Sequence, residues 1–333
     1  MNIYDISKQA GVSIATVSRV INGNTNVSQK TKDKVLAVIK ECGYTPNAFA
    51  RGLGLNTMNT VGILCADSSD PYLAKAIYYL EQTLRKNSYD VLLCCTGYEL
   101  EEKQKYLNLL LSKRVDAMIL VGSNFVEAED TKNDYIRVAA KTVPIVILNG
   151  ALNGDNIYSA LCDDFQAIYD ATTALIRNGI KDILYLYNSK SYSGKQKLEG
   201  YTAALKDNGI TYKKSLVSYF TGDLPSVTEH LVSLSQNGLD FKGIITSDDS
   251  LAVGAIKYAK ALKLAIPEEL SIIGYNNSIY AECCDPELTS IDNKLETVCK
   301  NCVSTLMGVF SDEQVPLKTI FPAEIVKRET TAF

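Results

Sequence analysis

The sequence predicts an all-α helix-turn-helix head followed by an α/β body of two doubly wound, parallel-sheet lobes. Three observations carry that expectation. Residues 1–45 read as three short helices, the second and third capped by serines, with Gly11 in a tight turn between the first two. From residue 60 onward, apolar β-rich runs alternate with amphipathic stretches. The 333 residues exceed one compact core and suffice for two or three domains of roughly 100–150 residues.

In the head, Ile3, Ile6 and Ala10 fall at helical spacing, and Gly11 ends the run. Ser13 caps a second helix over 14–22, whose inward face is Val17, Val20 and Ile21. Asn22-Gly23-Asn24 breaks it. Ser28 caps a third helix with an apolar stripe of Val35, Val38, Ile39 and Cys42, closed by Gly43 and followed by Pro46. Two helices joined by a tight glycine turn, with a third beside them, make a helix-turn-helix unit. Residues 46–59 form a connector containing Gly52 and Gly54.

The body begins at residue 60. TVGILCAD (60–67), DVLLCC (90–95), AMILVG (117–122), PIVILN (144–149), DILYLY (182–187), GIITS (243–247) and LSIIGY (270–275) are apolar on both faces. Such runs, separated by helices, describe buried parallel strands in βαβ units. Two sets of them predict two lobes, with a ligand in the cleft between, at the carboxyl ends of the strands.

Composition narrows the class. No cationic segment followed by a long apolar run opens the chain, and no apolar stretch reaches the roughly 18–20 residues that cross a bilayer. No signal peptide, no membrane span and a cytoplasmic location are expected. Nine cysteines at irregular spacing suit reduced thiols. The net charge of −4 hides an asymmetry. Residues 1–59 hold Lys8, Arg19, Lys30, Lys32, Lys34, Lys40 and Arg51 against Asp5, Asp33 and Glu41, a surplus of four positive charges, so the remainder carries −8. A basic head on an acidic body suits a head that meets a polyanion.

Enzyme signatures are weak. The single histidine, His230, has no evident partner for a triad. GLGLNT (52–57) lacks the third glycine of a nucleotide fingerprint and follows no strand. Cys299-x-x-Cys302 stands alone on an amphipathic helix and reads as core. No catalytic residue, cofactor or metal is expected.

Residues 3–53, IYDISKQAGVSIATVSRVINGNTNVSQKTKDKVLAVIKECGYTPNAFARGL, closely resemble the DNA-binding head and hinge of the LacI/GalR family of bacterial repressors. The AGVSxATVSRVxN core is the most specific part. Matching pieces continue through the body, including DSSDPYLAKAI (67–77), SDDSLAVGA (247–255) and PEELSIIGYNN (267–277). The resemblance implies a periplasmic-binding-protein-like body. Its first lobe would span about 60–160 and 291–320, its second about 161–290 and 321–333.

On the second helix the outward positions are Ile14, Ala15, Ser18, Arg19 and Asn22. Arg19 can give paired hydrogen bonds to a guanine, while Thr16, Ser18 and Asn22 suit phosphates or bases, and the cap Ser13 joins the candidate contacts. The resemblance makes Ile14 and Ala15 the positions that set operator choice, and Tyr4, Asn26, Tyr44 and Asn47 phosphate contacts. It also makes Leu53 the wedge that a hinge helix inserts into the minor groove of double-stranded DNA. Gly54 departs from the family pattern and costs such a helix about 1 kcal/mol relative to alanine.

The same resemblance implies a sugar or related metabolite as effector, held by Tyr72, Leu73, Ser123, Asn149, Lys197, Asp248, Asp249, Asn276 and Asn293, with Phe220 or Leu224 as an apolar wall. Three positions depart from the common pattern: lysine stands for arginine at 197, asparagine for aspartate at 276, and Asp248-Asp249 for an asparagine–aspartate pair. The expected protein is a homodimeric, sequence-specific transcriptional repressor on a pseudo-palindromic operator. Its dimer faces are expected near 71–87 and 250–263. One alternative is a body that senses a protein co-regulator, since Ile14-Ala15-Thr16 is similar to catabolite-control members; another is a solute receptor feeding a transporter.

Overall fold

The computed structural model describes residues 2–22, 26–44 and 57–333. The expected breaker at Gly23-Asn24, most of the connector 46–59, Asn47 and the wedge Leu53 lie outside the described residues. The chain divides into an N-terminal unit, which runs to Thr60 and takes in Arg114–Asp116, and a body formed by the rest.

In the N-terminal unit the helices are α1 (Ile3–Ala10), α2 (Ile14–Ile21) and α3 (Gln29–Glu41). Each starts on a side-chain cap. Asn2 accepts from the Tyr4 amide at 2.9 Å, Ser13 from Thr16 at 3.2 Å and Ser28 from Thr31 at 3.3 Å. These caps satisfy amides that a helix start leaves without partners. Gly11 closes α1 at φ 60°, a left-handed conformation that a Cβ would strain. Ile6, Ala10, Val17, Val20, Val35 and Val38 form the buried core. Ile21, expected inward, packs against that core while only half-buried, as do Ile39 and Cys42. At the end of the connector, the Met58 and Thr60 amides both donate to the Asp116 carboxylate, at 3.0 and 2.8 Å.

The body holds two six-stranded sheets, with strands numbered along the chain. The first contains β1 (Thr60–Cys65), β2 (Asp90–Cys95), β3 (Ala117–Val121), β4 (Ile145–Leu148), β5 (Ile157–Cys162) and β11 (Lys318–Phe321), in the order β11-β5-β4-β3-β1-β2. The second contains β6 (Ile183–Tyr187), β7 (Val217–Tyr219), β8 (Gly243–Thr246), β9 (Ser271–Tyr275), β10 (Ser290–Asp292) and β12 (Glu324–Val326), in the order β12-β10-β9-β8-β6-β7. The β1–β3, β3–β4, β4–β5, β6–β8 and β8–β9 pairs are parallel, and β10–β12 is antiparallel. The strand order reverses beside β1 in one sheet and beside β6 in the other. Such switch points open crevices at the carboxyl ends of the strands.

The helices of the first lobe are α4 (Pro71–Lys86), α5 (Leu100–Ser112), α6 (Asp134–Ala140) and α12 (Leu295–Phe310). Those of the second are α7 (Asp164–Arg177), α8 (Tyr192–Asp207), α9 (Leu224–Gln236), α10 (Asp249–Leu262) and α11 (Ile279–Cys283). The chain passes between sheets three times, from β5 to α7, from β10 to α12 and from β11 to β12. Cys299 and Cys302 are fully buried in the first-lobe core.

One strand departs from expectation. DVLLCC reads as buried on both faces, yet β2 is the edge of its sheet, with Leu92 40 % and Leu93 44 % exposed. An edge strand has a neighbour on one side only, so an apolar run does not guarantee cover within one chain. The short strands β7, β10, β11 and β12 were not anticipated, because their pairing comes from distant segments rather than from an apolar pattern of their own. No helix among the described residues is long and apolar enough to cross a membrane.

Candidate functional site

The head presents one helix face outward. Val17 and Val20 turn α2 onto the core, which leaves Ile14, Ala15 and Arg19 exposed and Thr16, Ser18 and Asn22 half-exposed. Ser13 and Thr16 hydroxyls hydrogen-bond to each other at 2.9 Å within the cap. Asn22 closes α2 as its C-cap. Tyr4 projects from α1, 67 % exposed, and Asn26 is exposed ahead of α3. Tyr44 lies half-buried against the head core. A short helix with an anchored inner face and an outer arginine has the form that enters a major groove.

In the body, a cleft of about 520 Å³ lies between the lobes. Loops following the strands of both sheets build it. Asp70, Tyr72 and Leu73 follow β1, Gly122 to Asn124 follow β3, and Asn149 follows β4. From the second lobe, Asn188, Ser189 and Ser191 follow β6, Tyr219 ends β7 with Thr221 and Gly222 just after it, Ser247 and Asp248 follow β8, and Asn276 follows β9. The Asn149 amide donates to the Tyr72 hydroxyl at 2.6 Å, and Ser123 Oγ donates across the lobes to Ser191 Oγ at 2.8 Å. Asn149 and Asn276 sit at φ 61° and 98°, left-handed backbone that asparagine accepts better than most residues.

Seven of the expected contacts meet in this cleft: Tyr72, Leu73, Ser123, Asn149, Lys197, Asp248 and Asn276. Three do not. Asp249 is 1 % exposed and turns inward, accepting from the Ser278 amide and hydroxyl and from the Ser290 hydroxyl. Asn293 is 2 % exposed and donates to Asn276 Oδ1 at 3.0 Å, behind the lining. Phe220 stacks on His230 at 4.3 Å between centroids, and the neighbouring Tyr219 supplies the aromatic wall instead, where Leu224 is also absent from the lining. His230 also hydrogen-bonds Ser218 at 2.7 Å, a partner the sequence did not reveal.

The reading also missed Asp70, Tyr98, Asn188 and the serines of residues 189–193. DSSDPY carried a signal for the first, because aspartate before proline marks a helix start. Asp70 caps α4, accepting from the Leu73 amide at 2.9 Å. Burial raises its carboxyl above the usual range, the Leu73 amide counters that, and the Asp248 carboxylate adds to the rise.

In the lining, Lys197 is 7 % exposed and its Nζ donates to the Ser247 carbonyl at 3.0 Å. The ammonium stands 3.4 Å from the centroid of the Tyr275 ring, whose hydroxyl donates to Asp164. Burial lowers Lys197 and raises Asp164, each opposed by the other's charge. Its contacts hold the lysine in the wall of the cleft.

Residues 2–47 match the family described as bacterial regulatory proteins, lacI family. Residues 58–329 match periplasmic binding proteins and sugar binding domain of LacI family. Over 333 residues the chain is 59 % identical to an HTH-type transcriptional regulator of Lachnoclostridium phytofermentans, covering 100 % of both. It is 30 % identical to catabolite control protein A of Priestia megaterium, covering 99 % of each. A structure of the lac repressor dimer bound to operator and the anti-inducer ONPF shares the fold, with a TM-score of 0.90 at 22 % identity over 99 % of both chains. The complex of the regulator CelR with cellobiose gives 0.71 at 24 % identity over 99 % of both chains. Since the family match runs through head and body alike, the chain is a DNA-binding transcriptional regulator of the LacI family.

Proposed function

We propose that this regulator is a homodimeric repressor whose operator affinity is set by a sugar or related hydroxylated metabolite held between the lobes. The observation that carries the reading is the cleft itself: about 520 Å³, at the carboxyl ends of strands from both sheets, lined by amides, hydroxyls and tyrosine rings. Paired donors and acceptors around aromatic faces suit a sugar. The cellobiose complex of CelR, a protein of the same fold, supports that class of ligand.

On the DNA side, Arg19, Ile14 and Ala15 read base edges, and Tyr4, Ser13, Thr16, Ser18, Asn22, Asn26 and Tyr44 contact backbone or bases; Asn47 and Leu53 extend the contact through the connector. One recognition helix reads only a few base pairs, so a two-fold pair on a pseudo-palindrome is needed for specificity. Leu92, Leu93 and Tyr78, all more than 39 % exposed, offer apolar cover for a second copy on the first lobe. A second reading, in which a protein co-regulator acts on the body, rests on the resemblance of Ile14-Ala15-Thr16 to catabolite-control members of the family and on the 30 % identity to catabolite control protein A.

The test is a fluorescence-anisotropy titration of the full chain on duplexes selected from genomic DNA, at several salt concentrations, with and without a neutral-sugar panel. The reading requires a salt-sensitive preference for one pseudo-palindrome and a sugar that changes that affinity. Coupling of about 1–3 kcal/mol suffices for regulation. Equal affinity for every duplex would refute the operator reading, and unchanged affinity with every sugar would refute the effector reading.

A further inference from the structure

We infer that the ligand of this cleft carries an ammonium group among its hydroxyls, as an amino sugar does, and seats it between Asp70 of the first lobe and Asp248 of the second. The inference rests on the cleft being the effector site. Among the described residues, the charged side chains lining it are Asp70, Asp248 and Lys197. The lysine ammonium is already engaged within the protein, donating to the Ser247 carbonyl and lying over the Tyr275 ring, which leaves the two carboxylates as the charges without a cation of their own in the lining. Lys190 lies outside the lining, with its ammonium 4.3 Å from the centroid of the Tyr219 ring.

Three helices begin at the cleft, and free helix N-termini would welcome a phosphate. Each is already capped from within. Asp70 accepts from the Leu73 amide of α4 at 2.9 Å, Asp248 from the Leu251 amide of α10 at 3.0 Å, and Ser191 from the Gly194 amide of α8 at 3.3 Å. Two of the three caps are carboxylates, so an incoming anion finds one amide of each helix start taken and, at two of them, a like charge beside it. Asn188 and Ser250 add hydrogen bonds to Asp248 without supplying charge. Two carboxylates on opposite lobes resist closure over a neutral or anionic ligand, and a cation between them turns that repulsion into attraction.

The experiment is isothermal titration of the full chain at fixed ionic strength and a pH below the amine's own pKa. The probes are two matched series: glucosamine, glucose and glucose 6-phosphate, and galactosamine, galactose and galactose 6-phosphate. In at least one series the amine should bind roughly tenfold more tightly than the neutral sugar, with the phosphate weakest. Asp70→Asn and Asp248→Asn keep a side chain able to cap, because asparagine ranks with aspartate at that position. Each should shrink the amine's preference toward parity. A neutral sugar or sugar phosphate that binds best overturns the inference and leaves the sugar-effector reading intact. Equal amine preference in wild type and both variants overturns it too. If none of the six probes binds, the inference falls, while the anisotropy titration with the neutral-sugar panel still judges the reading beneath it.

Discussion

Replacing Asp249 by asparagine isolates one buried charge in the second lobe. Its carboxylate accepts from the Ser278 amide and hydroxyl, both at 2.7 Å, and from the Ser290 hydroxyl at 2.5 Å. Burial nevertheless lifts the carboxyl from 3.8 to about 6, against the pull of those donors. That difference is worth about 3 kcal/mol. The folded chain therefore holds this proton more tightly than the unfolded chain does. Its contribution to stability is greatest below pH 3.8, declines as pH rises toward about 6, and stays at the lower level above. Asparagine keeps an oxygen for Ser278 and carries no charge to desolvate. It loses a favourable charge in the first turn of α10, worth about 0.3–1 kcal/mol. The shift is net of all these effects, so Asp249→Asn should gain about 2 kcal/mol relative to wild type between pH 4 and pH 7.5, on top of a pH-independent cost for the Ser290 hydroxyl that loses its acceptor. Urea unfolding followed by far-UV circular dichroism, at pH 7.5 and near pH 4, reads both numbers. A difference between variant and wild type that stays the same at both pH values, or moves against the variant as pH rises, would refute a desolvated carboxylate at this position.

Three further outcomes follow from the same geometry. Arg19→Ala should weaken binding to the selected operator by about 1–3 kcal/mol and relax base preference at one position in each half-site, read by anisotropy on a set of single-base variants; an unchanged preference removes Arg19 from base readout. Lys197→Met leaves the buried Ser247 carbonyl without its donor and removes the lysine whose charge acts on Asp164, and should cost about 1–3 kcal/mol in urea unfolding, with part recovered when Asp164→Asn is added. A double variant no better than the single one would show that the two groups are not coupled. Ile6→Ala opens a cavity in a core of six buried side chains among the described residues and should destabilise the head by about 2–5 kcal/mol, abolishing operator binding while leaving the body's unfolding transition in place.

Much of this molecule was legible residue by residue. The three head helices begin within a residue of their anticipated starts, because caps and the Gly11 turn are decided by groups three or four positions apart. Most strands that carry the cleft, β1, β3, β4, β6, β8 and β9, were visible as apolar runs, and the cleft followed from where such strands end. The choice between Tyr219 and Phe220 was not legible. It depends on β7, a three-residue strand whose alternation puts successive side chains on opposite faces, and nothing in the local sequence marks that strand. The inward turn of Asp249 was equally hidden, since Asp248 and Asp249 look alike in sequence and only one can point at the cleft.

The sequence by itself determined the family, the helix-turn-helix unit and the pair of α/β lobes, since these rest on periodicity and on short-range caps that neighbours impose on one another. Tertiary structure alone decided which polar groups are spent inside the protein and which remain for a ligand. Asp249 is taken up by Ser290, 41 positions away, and Tyr275 by Asp164, 111 positions away. Whether a charge faces a cleft or a core depends on what the fold brings against it, and those partners lie far beyond the reach of any local pattern.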